Sequence, residues 1–136
     1  MTDLEKVISW LYLCPYLQTD AMYLDTTQDW PISAGLYPQG LEVLKATRDV
    51  TGERVWQLRQ NYLLRCAMLE GREAADRLQQ IQNWIFTQNI NGITPGLGSN
   101  ESVRGTDGRL EKASQVGKSI YVIGLTVEYE KKSEGV

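Results

Sequence analysis

From Trp56 to Met68 polarity switches at every second residue. Trp56, Leu58, Tyr62, Leu64, Cys66 and Met68 share one side, interrupted only by Gln60, while Gln57, Arg59, Asn61 and Arg65 share the other. Successive side chains of an extended chain point to opposite faces, so this run is a strand with one buried and one wet face. Such a strand belongs to an antiparallel sheet, because parallel sheets are covered on both sides and read as unbroken apolar runs. Upstream, Leu41, Val43 and Lys45 alternate with Glu42, Leu44 and Ala46. Asp49-Val50-Thr51-Gly52-Glu53 then supplies a turn, with Gly52 where a left-handed residue is needed. A long hairpin is therefore expected at the centre of the fold.

Other elements are expected around it. Thr2 and Glu5 have capping-box spacing, and Leu4, Val7, Ile8 and Leu11 follow as the stripe of a short helix that ends at Pro15. Trp10 and Leu13 fall off that stripe. A second helix is expected from Gly71 to about Gln88, burying Ala74, Leu78, Ile81 and Ile85 and leaving Phe86 exposed. The final strand covers Ser119–Tyr129, with Tyr121, Ile123, Leu125, Val127 and Tyr129 on one face and Gly124 at a bulge or close approach. The tail from Lys131 is expected to fray. Residues 16–40 read as turn-rich with a short strand at Ala21-Met22-Tyr23-Leu24, and Trp30 and Tyr37 pin this stretch to the body. Residues 90–117 concentrate glycines among polar residues and read as one long mobile loop with a weak strand near Arg109–Ala113. The expected class is α+β: one domain over residues 1–136, with an antiparallel or mixed sheet of about four strands and two helices on one face.

Composition narrows the function. No histidine is present, which removes Ser-His-Asp and Cys-His nucleophile systems and His-containing metal sites. The net charge of −3 lacks the basic block that nucleic-acid binding needs, so no sequence-specific nucleic acid is expected as partner. No apolar run approaches a membrane span, and an acidic start is the wrong order for a secretory signal. Cys14 and Cys66 read as buried thiols. Gly92 to Ser99 lacks the lysine and following helix of a phosphate loop. Asp20, Asp25 and Asp29 are too sparse for a calcium loop. Glu70 and Glu73 suit a helix N-terminus, and no acid–base partner for them is evident. Neither catalysis nor a cofactor is expected. Four Trp and seven Tyr against one Phe favour aromatics with a polar handle, a bias found at protein–protein contacts.

The segment Leu78-Gln79-Gln80-Ile81-Gln82-Asn83-Trp84-Ile85-Phe86-Thr87-Gln88-Asn89-Ile90-Asn91-Gly92-Ile93-Thr94-Pro95-Gly96-Leu97-Gly98 resembles the minor capsid or tail-completion proteins of long-tailed bacteriophages and prophages of Gram-positive bacteria. In that family an amphipathic helix ends in tryptophan and Gln-Asn, and a glycine, proline and Leu-Gly follow. The last strand, Gly35-Leu36-Tyr37-Pro38-Gln39-Gly40 and Tyr62-Leu63-Leu64-Arg65 also look familiar in that setting. The resemblance implies a tail-terminator fold and a ring, typically a hexamer of this chain, that caps the completed tail tube and meets the head connector. It implies a place at the tail–head junction of the virion, and the host cytoplasm during assembly. On that implication, Gly92, Pro95, Leu97, Gly98, Arg104 and Asp107 are the candidate contacts with tube or connector, and Phe86 and Tyr129 the lateral ones. Three alternatives stand beside it. One is another head–tail joining protein such as a connector stopper, the second a cellular ligand-binding α+β domain with Trp30, Tyr37 and Trp56 around a pocket, and the last an enzyme that uses carboxylates.

Overall fold

The alternating run lies in the third of the six strands among the described residues. The computed structural model describes residues 2–17, 21–24, 33–69, 72–106, 108–112 and 118–133. In chain order these form α1 (Asp3–Leu11), β1 (Ala21–Leu24), β2 (Ser33–Arg48), β3 (Arg54–Leu69), α2 (Arg72–Ile90), β4 (Ser99–Gly105), β5 (Arg109–Lys112) and β6 (Lys118–Ser133). The sheet order is β1-β2-β3-β6-β4, and β5 also pairs with β6. β1 and β2 are parallel and every other pair is antiparallel, so the fold is α+β with a mixed sheet.

β3 and β6 are its centre. Each has 16 residues, and they pair from Arg54↔Ser133 to Leu69↔Lys118 without a register shift. Leu58, Tyr62, Leu64 and Cys66 of β3 meet Ile123, Leu125, Val127 and Tyr129 of β6 in one hydrophobic cluster. Val7, Ile8, Trp10 and Leu11 of α1 and Ala74, Leu78, Ile81 and Ile85 of α2 join the same cluster. Fully burying one such side chain contributes about 1.5–3 kcal/mol, so this layer dominates the stability.

The helices begin and end for local reasons. Thr2 Oγ1 accepts the Glu5 amide at 3.2 Å, satisfying one unpaired donor at the start of α1. Trp10, off the expected stripe, is buried. Its ring lies 4.9 Å from that of Trp84, and its Nε1 donates to the Ile93 carbonyl at 2.9 Å, tying α1 to α2 and to the turn beyond it. α2 ends where Gly92 takes φ +72°. Gly92 N donates to Asn89 O at 3.2 Å and Ile93 N to Gln88 O at 2.9 Å, the bond pair that closes a helix on a left-handed glycine.

Three expectations change. β2 begins at Ser33, well before Leu41, because a register shift between Pro38 and Gly40, with Gly40 at φ +130°, lets the strand absorb both residues. β6 continues to Ser133, because its last residues pair with Arg54, Val55 and Trp56 of β3. Of the two expectations for Gly124, the close approach holds. Thr106 Oγ1 accepts its amide and Thr106 N donates to its carbonyl, both at 2.8 Å, and a Cβ at Gly124 would press on that hydroxyl at 2.9 Å.

The third change concerns the expected loop over residues 90–117, which contains two strands. β4 pairs with Leu125–Glu130 of β6 and β5 with Ile120–Val122. Its glycines among the described residues occupy turns and close contacts instead of a solvated coil. A carboxylate oxygen of Glu101 accepts the Leu97 amide at 2.8 Å, and the same group accepts the Gly96 amide. Asn89 Oδ1 accepts the Val103 amide at 2.9 Å. Leu97 and Val103 are buried. Directed polar bonds order this stretch where few apolar side chains are present to do so.

Candidate assembly surfaces

Among the described residues, exposed large apolar side chains other than Tyr12 and Leu13, which follow α1, fall in two places. The first is the outer half of the β2–β3 hairpin. β1 covers β2 only from Ser33 to Leu36, so among the described residues the β2 edge from Tyr37 to Arg48 has no strand beside it. Leu41 and Val43 pair with Gln60 and Leu58, which puts them on the face that carries the core, yet they are 54% and 57% exposed. Leu44, at the register shift between Val43 and Lys45, is also exposed, as is Val50 at the tip. The tip itself is well formed. Asp49 Oδ1 accepts the amides of Thr51 and Glu53 and the Thr51 hydroxyl, and the hydroxyl is the chief reason its carboxyl is held below the usual range.

The second surface is a flank of α2. Phe86 and Ile90, one turn apart, are 66% and 65% exposed. On the same flank Asn89 reaches Val103 of β4 and Gln82 Oε1 accepts the Gly108 amide at 3.4 Å, so this side of the helix adjoins the β4–β5 edge. Ile93, past the helix, and Leu110 of β5 extend the exposed apolar surface there. The two surfaces therefore lie at opposite edges of one sheet.

Between them, on the face away from the core, charges alternate across four strands. Glu42 of β2 meets Arg59 of β3 at 3.2 Å, Arg59 meets Glu128 of β6 at 2.9 Å, and Arg104 of β4 approaches Glu128 at 3.6 Å. The guanidinium of Arg59 is held more firmly protonated, chiefly by its hydrogen bond to Glu128.

The expected contact residues divide. Phe86 is exposed, in agreement with its position off the buried stripe, and Arg104 is an exposed strand residue. Gly92 is the helix cap, and Pro95 is half-buried. Leu97 is a core residue, and Gly98 lies so close to the Glu130 carbonyl and the Tyr129 ring that no side chain fits. Tyr129 is 3% exposed, because it continues the inward face of β6, and it is unavailable to a neighbour. Asp107, Trp30, Asp20, Asp25, Asp29 and Glu70 lie outside the described residues. Tyr37 pairs with Leu63 and carries Arg65 4.8 Å over its ring, on the face opposite Trp56, so Tyr37 and Trp56 cannot line one pocket.

Cys14 and Cys66 are both buried, and burial pushes the Cys14 thiol up. Among the described residues no three His, Cys, Asp or Glu side chains are grouped to hold a metal, and no helix is long and apolar enough to cross a membrane. Sequence reasoning missed Leu41, Val43, Leu44, Ile90 and Leu110. The signal was present at Leu41-Glu42-Val43-Leu44, which is apolar on both faces of an edge strand. No protein-family model matches the chain, and no curated protein matches it in sequence.

Proposed function

We propose that this chain is an assembly protein that forms a ring of its own copies on the end of a phage tail tube, at the junction with the head connector. The observation that carries the reading is the pair of unlike apolar surfaces at opposite sheet edges, Leu41/Val43/Leu44 on one and Phe86/Ile90/Leu110 on the other. A ring is built by a heterologous contact, in which one patch of each subunit meets a different patch of the next. Two unlike patches on one chain suit that arrangement better than the single self-complementary patch of a two-fold dimer. The resemblance of residues 78–98 to tail-completion proteins supports the same reading, with Gly92, Ile93 and Gly96 exposed in the turn that follows α2. Leu97 and Tyr129 support the fold beneath the surface, and Gly98 allows the close approach to β6.

Electron microscopy of purified protein mixed with tail tubes tests this. The expected result is a ring of density at one end of each tube. Binding to isolated connectors and not to tubes would point to a stopper, and binding to neither would refute the reading. Phe86→Asp is expected to leave the circular dichroism spectrum unchanged and to shift sedimentation toward the monomer. An unchanged sedimentation profile would remove Phe86 from the contact.

A further inference from the structure

The alternating charges on the outer face stop at both edges with opposite signs left open. On the β2 side the row ends in Glu42, whose side chain is 55% exposed, and on the β4 side in Arg104, 66% exposed. β2, β3, β6 and β4 run alternately up and down, so a neighbouring copy set beside β4 in the same orientation brings its β2 antiparallel to it. We propose that copies of this chain join edge to edge, the β2 edge of one against the β4 edge of the next, with Glu42 of one copy paired to Arg104 of its neighbour. The inference rests on the assembly reading above and specifies which surfaces meet.

The partner is a second copy because the chain carries both halves of the pairing. Joined this way, the order Glu42, Arg59, Glu128, Arg104 repeats across the junction without placing like charges together. The adjacent row adds no conflict. Lys45 pairs with Gln57, Gln57 reaches Glu130 at 3.3 Å, and Asn100, a neutral residue, closes that row at 2.9 Å from Glu130. The two apolar surfaces lie beside these edges and supply the affinity, because an exposed ion pair contributes little by itself. The charges set register and exclude wrong partners.

A continuous backbone ladder is not part of this contact. Pro38 has no amide to donate, two register shifts bend β2, and the Val103 amide is already taken by Asn89. Side chains, and not a shared backbone ladder, make the junction.

Charge exchange tests the pairing. Glu42→Arg sets two guanidinium groups against each other at every junction, and Arg104→Glu sets two carboxylates against each other. Each variant alone is expected to assemble roughly tenfold more weakly than the parent, in sedimentation with and without purified tail tubes. An equimolar mixture is expected to recover, because alternating copies restore an opposite pair at every junction. Raising the salt concentration should narrow these differences. Glu42→Gln, which brings no new repulsion, is expected to weaken assembly less. If the parent assembles and neither variant differs from it, or if the mixture stays as weak as its components, the pairing is wrong and the assembly reading survives. If the parent stays monomeric even on tubes, both fall.

Discussion

β6 has β3 on one side and β4 on the other, and the two neighbours are held by different physics. β3 pairs along its whole length and buries Leu58, Tyr62, Leu64 and Cys66 with the inward residues of β6. β4 spans seven residues, pairs at five positions with a register shift, and buries only Val103. What holds it is a set of aimed polar bonds: Asn89 to the Val103 amide, Glu101 to the turn before it, and Thr106 to Gly124 after it. Area burial is insensitive to direction and large in sum, whereas each hydrogen bond is worth only about 1 kcal/mol net and depends on geometry. One side of the sheet should therefore respond to lost volume and the other to single lost partners.

Ile123→Ala tests the first side and should have the largest effect. Ile123 is fully buried opposite Leu64, so its truncation is expected to cost about 3 kcal/mol, read as a lowered urea midpoint. A loss near zero would mean that the β3–β6 layer is not the main source of stability. Gly98→Ala comes next, where the new methyl would meet the Glu130 carbonyl and, at 2.8 Å, the Tyr129 ring. The backbone must shift, at about 2 kcal/mol. A neutral outcome would mean that the approach to β6 is looser than the structure has it.

The same contrast explains what can be read in the sequence. Period-two and period-3.6 patterns report burial, so the β3 run, the stripe of α2 and the apolar face of β6 are legible residue by residue. β4 carries no such pattern. Asn89 and Glu101 hold it through bonds to the backbone, and neither residue type announces a partner 14 or four residues away. Composition marks residues 90–117 as unable to bury much, which is true, and the inference to a structureless loop fails because order there comes from polar bonds. Leu97 and Tyr129 are core residues and not contacts for the converse reason: being near a glycine cluster or a strand end does not make a side chain exposed.

Asn89→Ala probes the polar side directly. It leaves the part-buried Val103 amide without its acceptor, at about 1 kcal/mol. Because few apolar contacts couple β4 to the core, the effect should appear as faster amide exchange in Val103 and its neighbours while the β3 and β6 amides keep their rates. Equal acceleration everywhere would show that β4 opens only with the whole domain, and would erase the distinction between the two sides.

The smallest change at neutral pH separates the sides by titration. Burial pushes the Tyr62 phenol well above its ordinary value and raises that of Tyr129 as well, so both stay protonated in the folded chain. In the unfolded chain a phenol ionises near pH ~10. The stabilisation is therefore complete below pH ~10 and is lost as the pH rises toward the folded values, because unfolding then releases a proton. Wild-type urea midpoints are expected to fall between about pH 9 and about pH 11, and those of Tyr62→Phe to fall less over the same interval. The comparison between the two proteins cancels the titration of the lysines, which both retain. If the two slopes match, the Tyr62 phenol is not the group whose burial resists base, and the inward face of β3 is more open to water than its packing indicates.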